Sequence, residues 1–218
     1  MNSYPKIHNV GHPSLDGFFE GIVDVEEKVD GSQFSFWKDA DGEMHFRSKR
    51  CNVYPESADM FGAGVKAIME IHHMLESGWV YRGEYLRKPK HNCLVYERVP
   101  NRHVILFDIM IGPERYLGRD ALEAEAARLG LEVVPLLYCG HINNASEVRH
   151  LLQSRSILGG EIEGFVFKRR VSPKFGRDDK PLIAKHVRER FREVQNSKAF
   201  KVPKQEIIEA VIDRYRTA

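Results

Sequence analysis

The sequence predicts an α+β fold, in which strands dominate and helices are inserted among them. Three observations predict it. Stretches with strand character outnumber helical ones along the chain. Turn pairs such as Asp30-Gly31, Asp41-Gly42 and Gly159-Gly160 cut those stretches into short segments. The clear helical periodicities are inserted among the strands.

The elements follow in order. Tyr4-Pro5-Lys6-Ile7-His8-Asn9 reads as irregular structure with apolar anchors. Ile22 to Lys28 alternates apolar and charged residues and reads as a strand that Asp30-Gly31 breaks. Phe34 to Trp37 resumes the β pattern, Asp39-Ala40-Asp41-Gly42 turns it, and Met44 to Arg47 returns, ending in the basic run Arg47-Ser48-Lys49-Arg50. Asp59 to Glu76 carries Phe61, Val65, Ile68, Met69, His72 and Leu75 at helical spacing, weakened at its start by Gly62 and Gly64. His72-His73 invites a metal reading, but neighbours on a helix point about 100° apart, so ordinary packing or surface is expected. Trp79 to Leu86 is a strand in which Gly83 implies close approach of a backbone or ligand. Val104 to Ile109 is a buried strand interrupted by Asp108. A helix over Asp120 to Leu129 stops at Gly130, and Leu131 to Val134 is a short strand. Asn144 caps a helix with Val148, Leu151 and Leu152 on one face. Glu161 to Lys168 and Leu182 to Lys185 are the last strands, with a basic loop (Arg169, Arg170, Lys174, Arg177, Lys180) between them. A basic helix over Arg188 to Asn196 and an amphipathic one over Lys204 to Arg214 end the chain.

Composition bounds the function. The chain has 218 residues, 42% hydrophobic and 29% charged, ordinary for a globular domain. A net charge of +2 is too small to argue for nucleic acid by itself. Cys51, Cys93 and Cys139 are scattered, with no Cys-x-x-Cys spacing, so a disulfide framework or zinc site is not expected. No apolar leader or membrane-length apolar run occurs, and a cytoplasmic protein acting as a monomer, away from membranes, is expected.

Five charged residues sit inside β segments: Lys28, Glu84, Asp108, Glu163 and Lys185. Burying charge in strands is costly unless the groups pair or bind something. A buried ion-pair network would account for them; so would nucleotide chemistry. A lysine must be neutral to attack phosphorus, and desolvation and neighbouring cations favour that state. Charge on phosphate oxygens calls for lysine, arginine and metal, and Mg²⁺ calls for carboxylates. Lys-x-Asp-Gly alone is most often a solvated hairpin turn, so the weight rests on the whole set.

The ordered set resembles the covalent nucleotidyltransferase superfamily of ATP-dependent ligases and capping enzymes. Lys28-Val29-Asp30-Gly31 resembles its nucleophile motif and Ser48-Lys49-Arg50 the basic motif that follows. Tyr81-Arg82-Gly83-Glu84 resembles the aromatic-x-Gly-Glu motif and Leu106-Phe107-Asp108 the next. Glu163-Gly164-Phe165-Val166-Phe167-Lys168 matches Glu-Gly-x-Val-x-Lys, and Ile183-Ala184-Lys185 falls where Lys-x-Lys is expected. Within the superfamily the chain is most similar to the phage-type RNA ligases that seal nicks, which share the opening Tyr-Pro-x-Ile-x-Asn.

The resemblance implies an ATP-grasp-like ligase domain of antiparallel sheets flanked by helices over residues 1–196, and a helical tail without an OB-fold domain over 197–218. It implies that Lys28 attacks the α-phosphate of ATP to form lysyl-AMP. The AMP then passes to a 5′-phosphate, and a 3′-hydroxyl displaces it. Glu27 would read the adenine amino group. Arg50 and Glu84 would hold the ribose, with Gln33 where the family has an asparagine. Phe107 and Val166 would cover the two faces of the base. Glu163 would position Mg²⁺, or Mn²⁺, and Lys185 would touch the α-phosphate. Lys168, Arg169, Arg170 and Arg188, with Arg87, Lys88 and Lys90, would contact substrate phosphates. Ile183 departs from Lys-x-Lys, so Lys168 or Arg188 would replace the missing cation. RNA ends or a nicked duplex are the implied substrate, with an accessory domain or protein possible for grip. The alternatives are a DNA or mixed nick ligase, a non-catalytic nucleic-acid end-binding module and, more remotely, a GTP-using capping enzyme.

Overall fold

The computed structural model describes residues 4–15, 17–113, 115–142, 147–148, 150–169 and 183–188. The elements along the chain are β1 (His8–Asn9), β2 (Val23–Lys28), β3 (Ser32–Lys38), β4 (Met44–Ser48), β5 (Asn52–Val53), α1 (Gly62–Glu70), β6 (Val80–Tyr85), β7 (Val104–Gly112), β8 (Arg115–Tyr116), α2 (Arg119–Leu129), β9 (Glu132–Val133), β10 (Leu136–Gly140), β11 (Gly164–Arg169) and β12 (Ile183–Val187). The described residues form two compact units, one from residues 6–28, 136–155, 162–169 and 183–188, the other from Val29–Pro135, Ser156–Glu161 and the segment at Tyr4. Asn144, Arg170, the rest of the basic loop, and the helices expected beyond Arg188 lie outside the described residues.

The first unit is a sheet of order β1-β12-β11-β2-β10, antiparallel except for the parallel β1–β12 pair. The predicted alternation of β2 organises it. Val23 and Val25 join Phe165 and Phe167 of β11 and Ala184 of β12 in one buried cluster. Asp24, Glu26 and Lys28 take the reverse face.

The second unit is a sheet of order β5-β4-β3-β6-β7-β8, with β9 parallel to β7. Phe34 and Phe36 of β3, Phe46 of β4, Tyr81 and Tyr85 of β6 and Leu106 of β7 line its buried face. Val65 and Ile68 of α1 and Leu122, Ala126 and Leu129 of α2 pack in the same cluster, each at helical spacing. The β3–β4 hairpin turns on Asp39, whose carboxylate accepts the N–H groups of Asp41 and Glu43 at 3.1 and 2.8 Å. At Gly83 a Cβ would lie 2.7 Å from the Ile105 carbonyl oxygen, which is the close backbone approach expected of a strand glycine.

The structure revises several boundaries. The helix expected over Asp59 to Glu76 is helical only over α1. Turns of 3-10 type flank it at Asp59–Phe61 and His72–Met74, because the Ile71 N–H reaches Ile68 and tightens the last turn. Leu151 and Leu152 lie in a 3-10 turn, His150–Gln153. β11 starts at Gly164, after the turn through Gly159 and Gly160, both at positive φ, so Glu163 stands just before the strand. β10 carries no alternation and was not expected; it borders β2 through an irregular register between Leu136 and Tyr138. No described helix is long and apolar enough to cross a membrane.

Candidate active site

Lys28 ends β2, opposite Gly164 in register. Its amine contacts the carboxylate of Glu163; the lysine is 22% exposed and the glutamate 1%. The next row of the same face is Glu26, Val166 and Lys185, and the row after it Asp24, Lys168 and Ile183. The Lys168 ammonium lies 2.7 Å from the buried Glu26 carboxylate. Two lysines on two buried acids therefore alternate along this face, with Lys185 one strand further over. Lys168 is the cross-strand neighbour of Ile183, the position at which a lysine is missing. Glu27 lies on the reverse face, opposite Phe165.

At the strand ends, Arg169 donates to the Gly17 carbonyl at 3.1 Å, a structural contact within the unit. The Arg188 N–H extends the sheet pairing to the Glu163 carbonyl at 3.0 Å. At Gly164 the neighbouring strand β12 lies so close that a Cβ there would overlap the His186 carbonyl oxygen.

In the second unit the face turned from the core carries Gln33 opposite Glu84, and Ser35 opposite Arg82, which in turn faces Asp108. Burial draws the Arg82 guanidinium below its usual range, opposed by Tyr116, Tyr4 and Asp108. Arg50 is exposed in the turn after β4, where the Ser48 hydroxyl accepts the N–H groups of Arg50 and Cys51 at 3.3 and 3.1 Å. Phe107 is partly exposed on β7.

Asp30-Gly31 is no solvated turn. The Asp30 carboxylate accepts the N–H groups of Cys93 and Leu94 at 2.7 and 2.8 Å, and the Asp30 N–H donates to the Tyr96 hydroxyl at 2.8 Å. Asn92 donates to the Gly31 carbonyl, and His91 Nε2 meets the Ser32 hydroxyl at 2.9 Å. The loop bearing Arg87, Lys88 and Lys90 is thus tied to the residues following the lysine. Sequence reading missed this role, because such acceptors leave no spacing signal. Glu26 was missed too, although the alternation in β2 places it on the face of Lys28.

His91 Nδ1 accepts the Arg87 N–H at 3.1 Å, which requires an unprotonated Nδ1. Burial lowers the His91 pKa below its ordinary 6.5, Asp30 opposing and Lys88 adding to the shift. The folded chain then binds fewer protons than the unfolded one as pH falls from 6.5 through the lower folded value. The contribution of His91 to stability is present above 6.5 and lost across that window. The protection of the Arg87 amide against hydrogen exchange, relative to its intrinsic rate at each pH, should fall there, and NMR should titrate His91 below 6.5; a ring titrating above 6.5 would contradict the assignment.

A sequence profile of the RNA ligase family matches residues 21–187, most of the chain. The chain belongs to the RNA ligase family. A search of curated protein sequences gives no match for this family member. Its fold matches solved structures of Naegleria gruberi RNA ligase at 18% identity. These include one variant with ATP and manganese (TM-score 0.67) and another with AMP and manganese (0.66), each over 88% of this chain and 57% of that one. The same ligase with pyrophosphate matches at 0.64 over the same shares. At this identity the likeness establishes the fold. This RNA ligase-family chain spans a little over half the length of those proteins.

Among the described residues no three His, Cys, Asp or Glu side chains gather as a metal-ligand set. The donor chemistry fits a hard cation held through one carboxylate, that of Glu163, with substrate phosphates and water completing its shell, as Mg²⁺ prefers.

Proposed function

We propose that the chain is an ATP-dependent RNA ligase whose nucleophile is Lys28. The observation that carries the reading is the Lys28 amine on the buried Glu163 carboxylate, on a sheet face shared with Lys168 and Lys185. An ammonium bound to a carboxylate does not attack. Once its proton leaves, the Nζ lone pair attacks the α-phosphorus of ATP, the bond to the bridging oxygen breaks, and pyrophosphate departs. The product is a lysyl-AMP phosphoramidate. An oxygen of a 5′-phosphate then takes the AMP from Lys28. Finally a 3′-hydroxyl attacks that phosphate, forming the phosphodiester and releasing AMP.

Lys185 bears on the α-phosphate, and Lys168, beside Ile183, supplies the cation that the last motif lacks. Phe107 and Val166 bind the base, and Arg50, Glu84 and Gln33 the ribose. The contact to the adenine amino group is assigned to Glu27, the residue before the nucleophile. A divalent metal at Glu163, Mg²⁺ or Mn²⁺, would neutralise charge on the triphosphate. The nucleotide and manganese of the Naegleria ligase structures support the choice of ATP and metal.

The test is sealing of matched nicked duplexes that differ only in RNA or DNA at the 3′-hydroxyl side. The expected result is sealing of the RNA-ended nick at least about tenfold faster, about 1.4 kcal/mol of discrimination. Equal sealing of an all-DNA nick would give the DNA or mixed reading, and binding without AMP transfer the end-binding module.

A further inference from the structure

Phe107 owes its orientation to a break in the sheet. Arg82 pairs with Asp108 and Gly83 with Leu106, which leaves Phe107 as the extra residue of a β-bulge. Val104, Leu106 and Ile109 all face the core, a spacing of two and then three. Phe107 and Asp108 therefore both turn to the other face, which an unbroken strand would forbid.

Tyr4 meets both. Its ring stands edge-on to Phe107, 5.1 Å between centroids at 70°, and its hydroxyl donates to the Asp108 carboxylate. The Arg82 guanidinium lies 5.7 Å over the Tyr4 ring and donates to the Ser35 hydroxyl at 3.2 Å, while Tyr116 presents a second edge at 6.2 Å. Tyr4 is itself buried. A bulge is a locally looser backbone, and a partly exposed ring on it has rotamer freedom to lose. The buried tyrosine, anchored through its hydroxyl, removes that freedom.

We propose that Tyr4 is a positioning residue for the nucleoside, holding Phe107 at the angle at which the ring receives the base. This rests on the ligase reading, in which Phe107 touches adenine. It assigns a task to the Tyr-Pro opening of the chain, which none of the catalytic steps uses. Tyr4 acts through ground-state ordering of a binding ring, so its loss weakens nucleotide binding and leaves the chemical step alone.

The experiment measures self-adenylylation against ATP concentration for Tyr4→Leu and Tyr4→Phe, each with Phe107 intact and with Phe107→Leu. Calorimetric binding of AMP provides a readout independent of catalysis. The expected result is a KM for ATP and a Kd for AMP raised about tenfold by Tyr4→Leu, the upper part of the range for an edge-to-face aromatic pair. The maximal rate should change less than about threefold. Tyr4→Phe keeps the ring edge but loses the hydroxyl anchor on Asp108, and should raise both constants by less than Tyr4→Leu does. In the Phe107→Leu background Tyr4→Leu should have no further effect. Equal effects of Tyr4→Leu with and without Phe107, a fall in maximal rate at unchanged KM, or no effect would each overturn the proposal. A parent chain that neither binds AMP nor becomes labelled would fail the ligase reading and this inference with it. A labelled parent that Tyr4→Leu matches fails the inference alone.

Discussion

Lys28→Ala should lower covalent AMP labelling by at least about 10⁴-fold, the scale on which removal of a catalytic nucleophile acts. The same substitution strips a buried carboxylate of its ammonium, so lost labelling alone would not separate chemistry from folding. Removing one partner of such a pair costs about 1–3 kcal/mol. Lys28 is partly exposed, so water can solvate part of what is lost. For a chain of this size the melting temperature should fall roughly 2–12 °C. Two further variants separate the effects. Lys28→Arg keeps a cation for Glu163 but carries a guanidinium that does not give up its proton. It should fold like the parent and remain unlabelled. Lys28→Ala with Glu163→Gln removes both charges, should recover most of the lost stability, and should also remain unlabelled. Appreciable labelling of Lys28→Arg would place the nucleophile elsewhere.

Gly164→Ala should be the most damaging single methyl group in the first unit. Its Cβ would sit 1.9 Å from the His186 carbonyl oxygen, a backbone atom that no rotamer change can move aside. β12 would have to move away from β11, and the pairs Val166–Lys185 and Lys168–Ile183 would move with it. Overpacking of this kind costs about 3 kcal/mol or more, or a fall of roughly 6–12 °C in melting temperature. Labelling should fall as well, because the strand carrying Lys185 shifts relative to that carrying Lys28. The glycine between Glu163 and Phe165 is therefore required by the close pairing of β11 with β12, independently of any ligand. A Gly164→Ala chain with unchanged melting temperature and labelling would show that β12 lies further from Gly164.

How much of this was legible in the sequence differs from feature to feature. The polar face of β2 was legible because Val23 and Val25 alternate with Asp24, Glu26 and Lys28 over an unbroken strand. That same alternation puts Glu27 on the reverse face, across from Phe165. Phe107 was legible as a residue but not as a geometry. The bulge that turns it beside Asp108 comes from a register shift against β6, and register is a property of two strands. β10 was invisible because Leu136 to Gly140 shows no periodicity, and its partner supplies the pairing. Asp30 looked like a turn former; its carboxylate instead holds backbone N–H groups more than sixty residues away in sequence. Ile183 read as a lost phosphate contact, and only the β11–β12 register places Lys168 beside it.

The most direct measurement is the chemical identity of the residue that takes up AMP. The chain is incubated with ATP and Mg²⁺, digested, and its peptides mapped by mass spectrometry, with acid lability used to recognise a phosphoramidate. One AMP per chain is expected, on the peptide containing Lys28 and on that lysine. AMP on any other residue, or a chain that remains unmodified while binding ATP, would contradict the assignment of Lys28 as the nucleophile.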